Sequence, residues 1–172
     1  LVESIIPKKT RLEEKDALKE GLIRTAQMGW TQLHDAGSPL SDYELLKEIK
    51  DEEGLPVRIQ FYVSDGDDAL KFIDNGPYFD EDHMLTARGV KLYADGAIGS
   101  RGAAFFKKYD DYETKGFLIF QKDKTMPKLI KALVNGIQVQ THAIGDLANS
   151  VTLDWYEAVS YTHLRAHETI NH

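Results

Sequence analysis

The sequence predicts an α/β fold built on a parallel sheet, and three observations carry that expectation. Segments with helical periodicity alternate with short extended segments at the spacing of βαβ units. Each extended segment has one apolar and one polar face, whereas a parallel strand covered on both sides is apolar nearly throughout. The connections between successive strands read as helices, which disfavours an antiparallel sheet wetted on one side. Two architectures remain: a (β/α) barrel, whose interior takes the polar faces and whose strand C-termini build a site, and a doubly wound open sheet. The polar faces favour the barrel.

The elements follow in order. Thr10 with Glu13 predicts a capping box, and Leu12, Leu18, Leu22, Ile23 and Met28 mark one face of a helix that Gly29 ends. A short strand over 30–35 is closed by Ala36-Gly37-Ser38-Pro39; Gln32 and His34 share one face and Leu33 the other. Ser41 and Glu44 predict a second capping box, opening a helix to about residue 53. Gly54 and Pro56 lead into the clearest strand, 57–63, where Val57, Ile59, Phe61 and Val63 alternate with Arg58, Gln60 and Tyr62. A short helix over 67–74 and a turn at Gly76-Pro77 precede a third strand, 89–94, with Val90, Leu92 and Ala94 set against Lys91, Tyr93 and Asp95. Residues 95–124 read as a long irregular connection, of a length that in a compact domain is usually functional or disordered. A helix over 125–135, with Pro127 in its first turn, leads to a fourth strand over 137–142, where Ile137 and Val139 alternate with Gln138, Gln140 and His142. Asp146 caps a last helix running to about residue 159.

Composition narrows the function. The 172 residues suffice for one ordinary domain, and 21 Lys+Arg against 28 Asp+Glu give a net charge of −7. Such a chain is a poor partner for nucleic-acid phosphates or an anionic membrane surface. With no cysteine, disulfide scaffolds, thiol nucleophiles and zinc ribbons are excluded together. No stretch approaches the ~20 apolar residues of a membrane span. With no signal-like segment at Leu1-Val2-Glu3-Ser4, a cytoplasmic location is expected. The absence of an initiator Met there reads as an internal start, so the expected parent is longer.

Two residues stand where chemistry is expected. His142 ends its strand just before Ala143-Ile144-Gly145-Asp146, and an imidazole there can hold a divalent metal, act as a base, or bond to nearby loop backbone. Lys91 lies on the polar face of its strand between Val90 and Leu92. A lysine that the fold desolvates keeps a neutral, nucleophilic amine able to form a Schiff base, act as a base, or take up carbon dioxide as a carbamate. The alternative is an ion pair between Lys91 and Asp95. The run Asp95-Gly96-Ala97-Ile98-Gly99-Ser100-Arg101-Gly102 matches neither the phosphate loop nor the dinucleotide fingerprint. It reads instead as a loop using unusual backbone angles, with Arg101 aimed at an anionic or carbonyl group. His34 can orient a ligand from the first strand, Phe105, Phe106, Phe117 and Phe120 form a small core or line a pocket, and the lysines over 122–131 mark a solvated helix face.

The stretch Val90-Lys91-Leu92-Tyr93-Ala94-Asp95-Gly96-Ala97-Ile98-Gly99-Ser100-Arg101-Gly102-Ala103, with Gln140-Thr141-His142-Ala143-Ile144-Gly145-Asp146, resembles the amidohydrolase family 3 branch of the metal-dependent hydrolases, including enzymes similar to N-substituted formamide deformylase. Gly29-Trp30-Thr31-Gln32-Leu33-His34-Asp35-Ala36-Gly37 looks like an earlier strand of the same family. The resemblance implies a partial (β/α)8 TIM-type barrel, roughly strands two to five with their helices, over 1–159. It implies a divalent metal centre, zinc, of one or two ions, with Lys91 as a carboxylated ligand and His142 as an imidazole ligand. Asp95, Arg101 and His34 are then the candidate substrate contacts, and the reaction is hydrolysis of a non-peptide, amide-type C–N bond in a small molecule. The family's H-x-H pair, its later histidine and its final aspartate are not in the chain, so this segment by itself is expected to be inactive. Two other functions compete: a non-catalytic module binding a small anion at Gly99–Gly102 with Arg101, and a Schiff-base enzyme using Lys91. The tail 160–172 contains Ser160-Tyr161-Thr162-His163-Leu164-Arg165-Ala166-His167-Glu168-Thr169, which resembles translated sequencing-adapter DNA. On that reading His163, His167 and His172 are not evolved sites.

Overall fold

The computed structural model describes residues 5–168, with side chains as far as Tyr161. The expected capping box opens the first helix, α1 (Arg11–Gln27): the Thr10 hydroxyl accepts the Glu13 amide at 3.3 Å, and the Glu13 carboxylate accepts the Thr10 amide at 2.7 Å. Of the face predicted for this helix only Leu22 is buried, and Leu12, Ile23 and Met28 are exposed. Ion pairs to the next helix, Arg11–Glu48, Lys15–Glu52 and Lys19–Glu53, run along its other side.

The first strand, β1 (Gln32–Ser38), runs three residues beyond the predicted end. Pairing with β2 (Arg58–Ser64) carries it through the expected turn residues, with a bulge between Ala36 and Ser38. α2 (Leu40–Glu53) therefore begins at Pro39, whose position offers no side-chain cap. The Ser41–Glu44 box does not form, because Ser41 already lies inside the first turn. α3 (Asp67–Asn75) matches its prediction, and a two-residue strand not anticipated, β3 (Tyr78–Phe79), pairs antiparallel with β4 (Leu85–Tyr93). β4 begins four residues before the predicted strand, since Leu85–Ala87 pair with Ile59–Phe61. α4 (Lys122–Val134) also begins early, which places Pro127 in its second turn. β5 (Gln138–His142) leads to α5 (Asp146–Glu168), whose backbone continues past residue 159. The side chains of His163 and His167, and the whole of His172, lie outside the described residues. Among the described residues no helix is long and apolar enough to cross a membrane.

The parallel strands lie side by side in chain order, β1, β2, β4 and β5. The five helices among the described residues all pack on one face. Leu22, Leu46, Ile49, Phe72, Ile73 and Ala132 meet Ile59, Phe61, Val63, Leu85 and Val90 there. Further along the same face Leu92 and Val139 meet Leu129, Trp155, Tyr156 and Val159. A doubly wound sheet places helices on both faces and reverses its strand order. Strands in chain order under helices on a single side are the wrap of a (β/α) barrel, here part of one. The other face carries Gln60, Tyr62 and Ser64 from β2, Lys91 and Tyr93 from β4, and Gln138, Gln140 and His142 from β5, aligned by the registers Ser64↔Lys91↔Gln140 and Tyr93↔His142.

Candidate functional site

The site is built where β4 and β5 end. In-register residues of neighbouring parallel strands share a face, so Lys91 and His142 point to the helix-free side, one on each strand and two residues apart in register. Tyr93 stands beside both: its ring lies 5.9 Å from the His142 ring and 5.6 Å from Lys91 Nζ. The sequence pointed to Lys91 and His142 but not to this tyrosine, although its period-2 spacing from Lys91 was the signal for it.

Asp95 continues β4 but does not continue the alternation. Its side chain is buried, 1% exposed. Oδ2 accepts the amides of Ala104 and Gly145, each at 2.8 Å, and Oδ1 accepts the amide of Ile144 at 3.0 Å. A buried carboxylate is costly unless it is fully hydrogen-bonded, and bonds to a charged acceptor are the strong kind. These three tie the segment after β4, the turn at Ala103–Ala104 and the segment after β5 into one unit. Gly145 permits that closeness: a β-carbon there would fall 1.8 Å from the Ala104 carbonyl oxygen. The ion pair of Lys91 with Asp95 is absent; among the described residues Lys91 Nζ has no carboxylate or hydrogen-bond partner.

His142 faces this unit. Its Nε2 lies 3.4 Å from the Gly96 carbonyl oxygen and 3.6 Å from Asp95 Oδ1. Two acceptors on that side favour the tautomer with the proton on Nε2 and the lone pair on Nδ1, the outer support that ligating histidines commonly use.

The connection over 95–121 is folded rather than loose. Ile119 donates to the Ala94 carbonyl at 2.7 Å, and Leu118 and Phe120 pack with Ala94, Ala104 and Ala148. Phe120 stacks on Trp155 with centroids 4.2 Å apart and Phe105 meets Tyr109 edge to face at 5.2 Å, while Phe106 and Phe117 are exposed. Of the predicted aromatic core only Phe120 joins the buried cluster, and Phe105 makes a separate contact with Tyr109. Arg101 takes a left-handed backbone angle, φ 57°. Its guanidinium bonds Asp111 at 2.9 and 3.3 Å and covers the Tyr112 ring. Arg101 holds the Asp111 carboxyl below its ordinary range.

His34 shares the inward face but lies mid-strand, in register with Gln60 and Thr86, with Nε2 3.0 Å from Gln32 Nε2. The structure thus brings Lys91, His142 and Asp95 together, and places Arg101 on the loop clip and His34 toward the other end of the sheet. Among the described residues no three His, Cys, Asp or Glu side chains cluster as a metal-holding group. An amine and an imidazole on adjacent strand ends fit part of a hydrolytic metal centre, which takes three protein ligands when it is zinc, and not a whole one.

Comparison with known proteins agrees with this fold. Two solved metal-dependent hydrolases of uncharacterised activity share the fold. The one from Pyrococcus horikoshii OT3 superposes with a TM-score of 0.74 at 26% identity over 87% of this chain and 31% of its own. The one from Pyrococcus furiosus gives 0.72 at 26% identity, over 85% and 31%. Among curated proteins, LONG AFTER FAR-RED 3 of Arabidopsis thaliana is 40% identical over 73 residues, 42% of this chain and 12% of its own length. YtcJ of Bacillus subtilis (strain 168), which carries the name of an amidohydrolase, is 40% identical over 85 residues, 48% of this chain and 15% of its own length. The chain thus matches 12% and 15% of the two curated relatives and about a third of each solved one. The amidohydrolase family model matches residues 1–172 throughout. The chain belongs to the amidohydrolase family.

Proposed function

We propose that this chain carries part of the active site of a hydrolase acting on non-peptide, amide-type C–N bonds of a small molecule, with Lys91 and His142 as two ligands of its divalent metal. One observation carries the reading: Lys91, unpaired among the described residues, and His142, with acceptors only behind its Nε2, share the inward face at adjoining strand ends. The resemblance of the 90–103 motif to formamide-deformylase-type enzymes supports the amide-type substrate. A divalent ion, zinc in this reading and one or two in number, supplies Lewis acidity toward water and toward a carbonyl. Lys91 joins as its carbamate: the amine nitrogen bonds the carbon of carbon dioxide and releases one proton, leaving a carboxylate on a long arm. His142 offers Nδ1 while Gly96 and Asp95 fix its ring. Asp95 contributes by holding the two strand-end segments together, and His34 lines the inward face.

With two donors, the chain by itself is expected to hold metal weakly and to lack turnover. A small-anion module has less support, because Arg101 already serves Asp111. The test is a Co²⁺ titration of the full chain in bicarbonate buffer, with tail histidines 163, 167 and 172 replaced by alanine to remove competing donors. Binding that survives the tail replacement and falls about tenfold or more in Lys91→Met and in His142→Ala supports the reading, a drop in the range seen when outer partners of metal ligands are lost. Binding that disappears with the tail, or ignores both variants, overturns it.

A further inference from the structure

Gly37 lies on β1, two strands from Lys91, and no spacing in the sequence links them. It sits in the bulge between Ala36 and Ser38 with φ +123°, a setting that residues with side chains rarely adopt. A β-carbon built on it would fall 2.9 Å from Lys91 Cγ, 3.1 Å from Lys91 Cβ and 3.0 Å from the Tyr93 hydroxyl. Between the two strands runs β2, which presents Ser64 in register with Lys91. Although β2 runs between the two strands, the lysine stem lies against the bare α-carbon of Gly37.

We propose that Gly37 is a positioning residue for Lys91. The bulge supplies the conformation, the missing side chain supplies the floor, and together they set where the amine stands on the inward face. The functional weight of this placement rests on the reading of Lys91 as a ligand, but the placement itself does not.

The test compares Gly37→Ala with Gly66→Ala in the full chain. Gly66 has nearly the same backbone angle, φ +130°, and nothing within 4 Å of a built β-carbon, so it reports strain without contact. The readout is the rate at which each lysine is reductively methylated by ¹³C-formaldehyde, resolved by peptide mass spectrometry. Gly37→Ala is expected to change the Lys91 rate by about threefold or more, well within what a displacement of about 1 Å does to a positioned group, with Gly66→Ala leaving it unchanged. An unchanged Lys91 rate, or equal changes in both variants, overturns the proposal.

If Gly37→Ala folds too poorly to label, Lys91→Ala is added to it. A steric origin predicts that the second substitution restores part of the lost thermal stability, a departure from additivity of about twofold or more in the unfolding constant; additive losses overturn the proposal. Co²⁺ binding that ignores Lys91→Met while the labelling result holds removes the ligand reading alone; an unchanged Lys91 labelling rate while binding falls in Lys91→Met removes the Gly37 proposal alone.

Discussion

Replacing Asp95 by alanine tests the physical centre of the strand-end unit. The substitution strips the acceptor from three backbone amides. Ile144 is exposed and its amide can turn to water, whereas Ala104 and Gly145 are buried and theirs cannot. Each orphaned buried donor that had bonded to a charged group costs about 1.5–3 kcal/mol, so the two together cost about 3–6 kcal/mol. Against a total stability of about 5–15 kcal/mol this is severe. For a chain of this size it lowers the melting temperature by at least about 6 °C. Urea and thermal unfolding followed by tryptophan fluorescence measure it, since Trp155 stacks on Phe120 beside the unit. Asp95→Asn, which keeps one acceptor oxygen but turns an amide group toward a backbone N–H, falls between the parent and alanine. A stability of Asp95→Ala within about 1 kcal/mol of the parent, with the Ala104 and Gly145 amides still protected from exchange, would refute the reasoning.

Gly145→Ala forces a β-carbon to within 1.8 Å of a backbone oxygen and is expected to cost about 3 kcal/mol or more. Gly99→Ala, with nothing within 4 Å, stays within about 0.5 kcal/mol of the parent in the same unfolding assay; equal effects would contradict the close packing. The Asp111 carboxyl, hydrogen-bonded by Arg101, is held below its ordinary value of 3.8. Its folded value thus lies beneath its unfolded one: the clip is fully present above that range and is lost as pH falls through the lowered value. Carboxyl ¹³C NMR should show a depressed Asp111 midpoint that returns to the ordinary value in Arg101→Ala, and an ordinary midpoint in the parent would exclude the clip. Borohydride treatment with a panel of aldehydes and ketones should trap no substrate adduct specific to Lys91; efficient, selective trapping would revive the Schiff-base reading.

The fold was legible because burial writes itself into alternation. Val57, Ile59, Phe61 and Val63 announced a strand with one covered face, and the polar residues between them announced the interior of a barrel. Strand edges were not legible where pairing overrode local signals. Ala36 to Ser38 carry turn chemistry yet stay paired to β2 through a bulge. Leu85 to Ala87 lie in a stretch punctuated by turn residues and become strand because β2 lies beside them. At the site, Lys91 and His142 could be read from their places at strand ends. Asp95 could be read as important but not as an acceptor for three amides, since two of its donors lie 49 and 50 residues away in sequence. Gly37 looked like a turn former because its contact with Lys91 crosses an intervening strand, a relation that no periodicity contains.

The central claim is that Lys91 and His142 ligate one ion, and a binding cycle measures that most directly. Co²⁺ affinity is compared among the tail-replaced parent, Lys91→Met, His142→Ala and the double variant. Ligands of a shared ion weaken the same binding event, so one binding phase is expected to fall in each single variant and at least as far in the double. Two binding phases, each lost in only one of the single variants, would mean that the two residues act on separate ions, and the shared centre would be wrong.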